Sequence, residues 1–182
     1  MYENLYRENV ANGNIIIEIV LDDYMHFFHQ WDNAIFRKRD MHPELAAFLD
    51  ICSEDISLNK KLDIQFYVKN KSRDKSREKM IIESYHNYYE FFGRMEKKKT
   101  KRNFRYAFVL LLVALVLIFS HTILVESVPI RVWSEVFLEG LLIGGWVFMW
   151  ESLHIVSFES QDLFKRNKEL DRFLKATITF KY

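Results

Sequence analysis

Two apolar stretches in the second half of the 182-residue chain constrain its fold more than any other feature. The first, FRYAFVLLLVALVLIFSHTILV, runs from Phe104 to Val125 and would rise roughly 33 Å as a helix, enough to cross the hydrocarbon core of a membrane. The second runs from about Val136 to Phe158 and is interrupted by Glu139, Glu151 and His154. Because only the short connector ESVPIRVWSE separates them, the sequence predicts a hairpin of two transmembrane helices.

Basic residues near these stretches predict the orientation of the hairpin, because lysines and arginines in short loops accumulate on the cytoplasmic side. The connector holds only Arg131, beside Glu126 and Glu135. The outer flanks carry one basic cluster before the first stretch and another after the second: Arg94, Lys97, Lys98, Lys99, Lys101, Arg102 and Arg105, then Lys165, Arg166 and Lys168. We therefore expect an inner-membrane protein that crosses twice, with both termini in the cytoplasm. The N-terminal segment lacks a basic start and an apolar core, so no cleaved signal peptide is expected.

The polar half of the chain contains two strand patterns. In NIIIEIVL the apolar residues Ile15, Ile17, Ile19 and Leu21 alternate, and in KLDIQFYV the apolar set is Leu62, Ile64, Phe66 and Val68. Alternation of this kind is typical of a sheet with one covered face. Between them, HPELAAFLDIC predicts a short helix, with Pro43 and Glu44 in its first turn.

Apolar residues after Arg73 recur every three or four positions, which predicts an amphipathic helix lying on the sheet: Ile81, Tyr85, Tyr88, Phe92 and Met95. No proline lies between Gly93 and Phe104, so this helix is expected to continue into the first apolar stretch. Beyond the second stretch, QDLFKRNKELDRFLK predicts another amphipathic helix and ATITFKY a final strand.

The final strand decides the fold class. The predicted topology returns it to the compartment of the two earlier strands, and an isolated strand would be unstable, so we expect it to join their sheet. The sequence therefore predicts an α+β membrane protein. A two-helix transmembrane hairpin, residues 104–158, is inserted in a small cytosolic α/β domain, built from residues 1–103 and 159–182, whose sheet includes N- and C-terminal strands.

Two segments carry a resemblance to a known family. WDNAIFRKRDMHPEL and EGLLIGGWVFMWESL, placed around a two-span hairpin, resemble an uncharacterised family of prokaryotic two-span membrane proteins with a Glu-Gly-x-x-x-Gly-Gly-Trp second span. The resemblance covers nearly the whole chain and implies a shared fold, but no activity. The chain has Glu151 where a basic residue is expected in many relatives, and His154 where an acidic one is expected.

Polar residues within the apolar stretches are the candidate functional residues. At 100° per residue, one stripe of the second helix collects Gly140, Gly144, Val147, Glu151 and His154. A small-residue stripe lets another helix approach closely, and Glu151 and His154 on it are placed to pair with each other.

Glu139 lies elsewhere on this helix, near the outer end of the stretch, and His121 lies at a similar depth in the first helix. A hydrogen bond or ion pair between these two residues is one hypothesis. The other is that both side chains reach to the external headgroups.

Two function classes fit these features. In the first, a homo-oligomer aligns copies of Glu139 or Glu151 around a central axis and forms a cation-conducting pore. In the second, the hairpin anchors a scaffold or interaction protein without transport activity. Its intramembrane polar residues then join helices, and Arg37, Lys38, Arg39 and Asp40 present a surface to a protein or lipid partner. Both hypotheses name the chain itself and membrane lipids as partners, and neither identifies a protein partner.

Other functions lack sequence support. The chain has no phosphate-binding glycine loop, zinc-ligand spacing or nucleophile motif, so we expect neither enzymatic activity nor a cofactor. His26 and His29 are spaced as metal ligands, but no partner ligand accompanies them in the sequence, so no metal site is expected. The lone Cys52 is expected to be a reduced thiol. The basic run KKKTKR adjoins an apolar stretch, which is explained by topology without nucleic-acid binding.

Overall fold

The structure is a computed structural model that describes residues 5–28, 41–69, 72–127, 129 and 131–182. It is mostly helical, with a small four-stranded mixed sheet and two long apolar helices, which is compatible with the expected α+β class. The predicted interaction surface of Arg37, Lys38, Arg39 and Asp40 lies outside the described residues, as does His29.

The sheet has the strand order β1-β2-β3-β4, in which β1 is Arg7–Glu8, β2 is Ile15–Leu21, β3 is Leu62–Val68 and β4 is Thr177–Lys181. β1 is antiparallel to β2, whereas β2, β3 and β4 are mutually parallel. The prediction that the final strand joins the sheet is therefore confirmed. β1 was not predicted, because a two-residue strand of charged residues carries no alternating pattern.

Helices cover one face of this sheet. The alternating apolar residues of β2 and β3 are all buried there, as their pattern predicted. They pack in one core with α1 (Pro43–Asp55), the start of α2 (Lys75–Ser127) and the end of α4 (Ser160–Leu174). Cys52 of α1 is a buried free thiol, and burial raises its pKa.

The first turns of α2 contact this core through aromatic residues. Tyr89 stacks on Phe173 at a centroid distance of 4.7 Å, and the Tyr85 hydroxyl donates to the carbonyl of Phe173 at 3.1 Å. The predicted helix face was wrong at one end, since Met95 is 51% exposed. It lies about 80° round the helix from the mean direction of the buried residues Ile81, Tyr85 and Tyr89.

The opposite face of the sheet was expected to be polar and open, but Asp63 is buried there. Its carboxylate accepts hydrogen bonds from the side-chain amides of Asn9 (2.7 Å), Asn12 (3.1 Å) and Asn14 (2.7 Å), all from the turn that joins β1 to β2. Burial alone would raise the pKa of Asp63, but the bonds from these amides outweigh it and hold the pKa below its ordinary value.

The amphipathic helix that follows β3 continues without a break into the first apolar stretch, as predicted, and forms the 53 residues of α2. The second apolar stretch, α3 (Val132–His154), was expected to end before the C-terminal helix. Instead one π-helical turn, Ile155–Glu159, joins it to α4. A buried Ser160 hydroxyl donates to the carbonyl of Ile155 at 3.0 Å in this turn.

Both long helices are apolar enough to cross a membrane. Of the most apolar segment of α2, only 11% is buried in the single chain, and of the most apolar segment of the continuous helix Val132–Leu174, only 17% is buried. A core helix of a soluble protein would bury most of such a segment. The exposed apolar surface therefore favours a membrane environment for both helices.

The chain divides into two compact units. The α/β unit comprises Met1–Met95 and Asn167–Tyr182, and the hairpin unit comprises Glu96–Arg166. Both boundaries fall inside helices, within α2 and within α4.

Replacing Asp63 with asparagine should destabilise the α/β unit at pH 7 by about 1–3 kcal/mol, because an amide in its place cannot accept all three bonds. The depressed pKa of Asp63 contributes stability that is present above the unfolded-state pKa of about 3.9 and is lost as the pH falls through the folded-state value. The two proteins should therefore converge at acid pH. Urea titrations in micelles, followed by circular dichroism at pH 7 and pH 3, measure the difference.

The matched control is Glu54→Gln, because Glu54 is exposed on α1 and loses the same charge. An equal loss of stability in both variants at pH 7 would show that the asparagine cage does not hold the unit together.

Candidate functional site

The two helices of the hairpin unit pack through small residues. On α2 these are Ala107 and Ala114, and on α3 they are Gly145 and Ser152, all four of which are buried. The Ser152 hydroxyl donates to the carbonyl of Ala107 at 2.8 Å. A Cβ atom on Gly145 would lie 3.2 Å from the carbonyl oxygen of Ala114 and 2.6 Å from Cγ1 of Ile118. Gly145 is therefore the point of closest approach between the helices.

Each small pair is spaced by seven residues, which is about two turns, so both members lie on one face of their helix. Their contacts set an antiparallel register, in which Ala107 lies opposite Ser152 and Ala114 opposite Gly145. Small residues at this spacing allow close backbone approach in membranes. Sequence reasoning missed this face, although the matching seven-residue spacing on both helices was a signal that could have found it.

The predicted stripe lies on the other side of α3. Gly140, Val147, Glu151 and His154 lie roughly 120° to 180° round the helix from Gly145, and all four are exposed. A Cβ on Gly140 would have no described atom within 4 Å. Gly144 is intermediate, with Cδ1 of Leu117 at 3.7 Å from such a Cβ. Within one chain the stripe is therefore not a packing face, apart from the edge at Gly144.

Glu151 and His154 do not bond to each other within the described part of the chain. The ring of His154 instead lies against Phe158, with a centroid distance of 5.4 Å and an interplanar angle of 31°. Both residues are exposed on the stripe. The charge pair expected from their three-residue spacing is therefore not formed in a single copy of the chain.

The hypothetical bond between His121 and Glu139 is also absent from the described hairpin. The register places His121 opposite Leu138, one residue before Glu139. That one residue turns the carboxylate by about 100°, away from the partner helix. His121 is half-buried and Glu139 is exposed. The two residues lie at similar heights along the hairpin, but the direction in which each faces depends on the register.

The two carboxylates hold related positions at opposite ends of α3. The register sets Glu151 opposite Phe108, about 6 Å along the helix from Phe104, and Glu139 opposite Ser120, about 7.5 Å from Val125. They are roughly 18 Å apart along the axis. Each lies about 120° from Gly145, on opposite sides, so Glu151 lies near one edge of the exposed stripe and Glu139 lies outside its other edge.

The described histidines do not form a metal site. His26 and His42 line an open cavity of about 380 Å³ beside β2, together with Glu44. Among the described residues, no three His, Cys, Asp or Glu side chains converge as metal ligands. His42 caps α1, because its Nδ1 accepts from the backbone N–H of Glu44 at 3.3 Å.

Comparisons with known proteins give no relative. No protein-family model, no curated protein and no solved structure matches the chain.

Replacing Gly145 with isoleucine should separate the two helices of the hairpin, because the new side chain would meet Ile118 and the carbonyl of Ala114. Overpacking of this kind costs typically about 1–3 kcal/mol. Gly140→Ile is the matched control, since a side chain there enters open space within the chain. Thermal unfolding of both variants in monomerising detergent measures the difference. Equal unfolding temperatures would contradict the described interface.

Proposed function

We propose that the chain is a homo-oligomeric integral membrane protein, inserted as a two-helix hairpin in the cell inner membrane with both termini in the cytoplasm. The exposed apolar surface of α2 and α3 supports insertion. The basic residues before Phe104 support the orientation. The lysines at 97–99 and 101 are exposed just before the apolar stretch of α2, at the end opposite to the connector, and lysines flanking a span favour the cytoplasmic side.

Assembly follows from the polar residues on the exposed stripe of α3. A charged side chain at the bilayer centre costs about 2.5–3.5 kcal/mol on insertion scales. The cost is smaller for Glu151, about one turn inside the apolar stretch, but a carboxylate that faces lipid there is still unfavourable. The partner helix α2 does not cover it, because α2 packs on the face of Gly145 and Ser152. A second copy packed on Gly140 and Val147 would cover the stripe, including Glu151, and would lie beside Glu139.

Within that assembly, we propose that Glu139 and Glu151 line a cation-conducting path. The observation that carries this proposal is that both carboxylates are exposed, unpaired in the described chain, and set about one turn inside either end of the hairpin. Copies arranged around an axis would place a ring of acids at each mouth, where it would attract cations and exclude anions. The α/β unit would then form the cytoplasmic vestibule.

The second candidate is a membrane-anchored scaffold without transport activity. It is favoured by the α/β unit, which has its own core of buried residues from β2, β3 and the helices α1, α2 and α4, with partly buried residues of β4 packed against it. In this case the stripe joins copies through dry helix contacts, and the carboxylates act as interhelical hydrogen-bond acceptors.

Replacing both Glu139 and Glu151 with glutamine should lower cation flux through the pore about tenfold, at the low end of the counter-ion enrichment that a charged cleft provides. The oligomer should persist, because glutamine keeps the shape and hydrogen-bonding capacity. Fluorescent thallium influx into liposomes measures the flux, and mass photometry measures the assembly. Glu135→Gln is the control, since Glu135 lies at the first turn of α3, outside the proposed path.

A measurement on the wild-type protein distinguishes the two candidate functions. A stable oligomer that carries no cation current above empty liposomes would reject the pore and leave the scaffold. Both candidate functions assume that copies of the chain assemble through the stripe, and this assumption is tested separately. Gly140→Ile should dissociate the oligomer, whereas Gly140→Ala should not. If Gly140→Ile leaves the assembly intact, the stripe is not the contact between copies.

A further inference from the structure

The α/β unit contains a basic cavity of about 430 Å³, between the segment that leads into β3 and the last turns of α4. Its wall carries five cationic side chains and one carboxylate: Lys60, Lys61, Lys168, Arg172, Lys175 and Asp171. The volume falls in the range of small-molecule sites. We refer to it as the basic cavity.

Most of the positive charge in the basic cavity is not compensated. Lys60 is paired, since its ammonium lies 2.8 Å from the carboxylate of Glu8. Lys61, Lys168 and Lys175 are exposed, and none of these three forms an ion pair with a described residue. Like charges gathered around one concave surface attract an anion more strongly than the same charges spread over a flat one.

Arg172 gives the basic cavity a fixed cation. It is only 8% exposed, and its terminal nitrogens donate to the carbonyls of Ser57 at 2.8 Å and Ser53 at 2.9 Å, which hold the side chain against the end of α1. The Nε–H of Arg172 is buried and has no acceptor among the described residues. Because this nitrogen is buried, it does not reach the open part of the basic cavity, and Arg172 contributes to the basic cavity through its charge.

We propose that the basic cavity binds a phosphate-bearing anion. A phosphate group carries up to two charges and several acceptor oxygens, so it can accept from lysines on both sides of the basic cavity at once. A single carboxylate would leave most of the charge uncompensated. The ligand is either a soluble phosphate compound or the headgroup of an anionic lipid, because both present the same group.

The test uses the full chain in nanodiscs of neutral phosphatidylcholine. Inorganic pyrophosphate is titrated by calorimetry, and in a second arm native mass spectrometry counts phosphatidic acid retained from discs that contain it. The cavity variant is Lys168→Gln with Lys175→Gln, which leaves Arg172 and its contacts in place. The control is Lys69→Gln with Lys79→Gln, which removes the same charge from exposed lysines that pair with Asp22 and Glu83.

We expect wild type and control to bind alike and the cavity variant to bind at least about tenfold more weakly, a loss of about 1.4 kcal/mol. Saturable pyrophosphate binding that shows this loss identifies a soluble phosphate ligand. Retention of phosphatidic acid with the same loss, and without pyrophosphate binding, identifies a lipid headgroup. The proposal is overturned if neither probe binds the wild type, or if the cavity variant binds as well as the control.

Discussion

The parallel pairing of β4 with β3 is the constraint on which the rest of the chain depends. Ile64 lies beside Ile178 and Phe66 beside Phe180, and the two phenylalanine rings stack at 5.5 Å. Parallel neighbours require a crossover connection, which in most α/β proteins is a single helix. Here the crossover is the whole of α2, α3 and α4, so the strand that completes the sheet is reached only after both apolar helices. Folding of the sheet is thereby coupled to formation of the hairpin.

The helix α3 has two faces, of which the single chain covers one and leaves the other exposed. Its inner face, at Gly145 and Ser152, is small and contacts α2, so the hairpin closes without any of the acidic residues. Its outer face carries Gly140 and Glu151, with Glu139 beside it, and the chain itself leaves both carboxylates uncovered. Since membrane helices gain little from apolar contact alone, packing and polar contacts decide which helices associate. Within the single chain, α2 covers the inner face. The outer face is therefore the surface that a further helix would contact.

The sequence predicted elements whose pattern is local. Alternation located β2, β3 and β4, the proline at position 43 located α1, and the absence of a helix breaker carried α2 into the apolar stretch. Features that depend on contacts between distant segments were missed. Burial of Asp63 depends on three asparagines from a turn distant in sequence. The π-helical turn was missed for a different reason, because composition alone suggested a helix end there.

The candidate site shows the same division. Position along a helix follows from the sequence, and Glu139 and His121 lie at similar heights along the hairpin, as expected. Direction depends on the interhelical register, and an offset of one residue turns a contact into an exposed side chain. The register itself is set by Ala107, Ala114, Gly145 and Ser152, uncharged small residues whose signal in the sequence is their matching seven-residue spacing.

The basic cavity joins a structural role to a binding role through one residue. Arg172 donates to carbonyls at the end of α1, where a cation is favoured by the helix dipole, and this explains its burial without any ligand. Lysine could not replace it, because only the planar guanidinium reaches several fixed acceptors at once. That role does not explain why Lys61, Lys168 and Lys175 surround the same concave surface without a carboxylate partner among the described residues. The lysines contribute charge rather than structure, so replacing them separates anion binding from the stability that Arg172 provides.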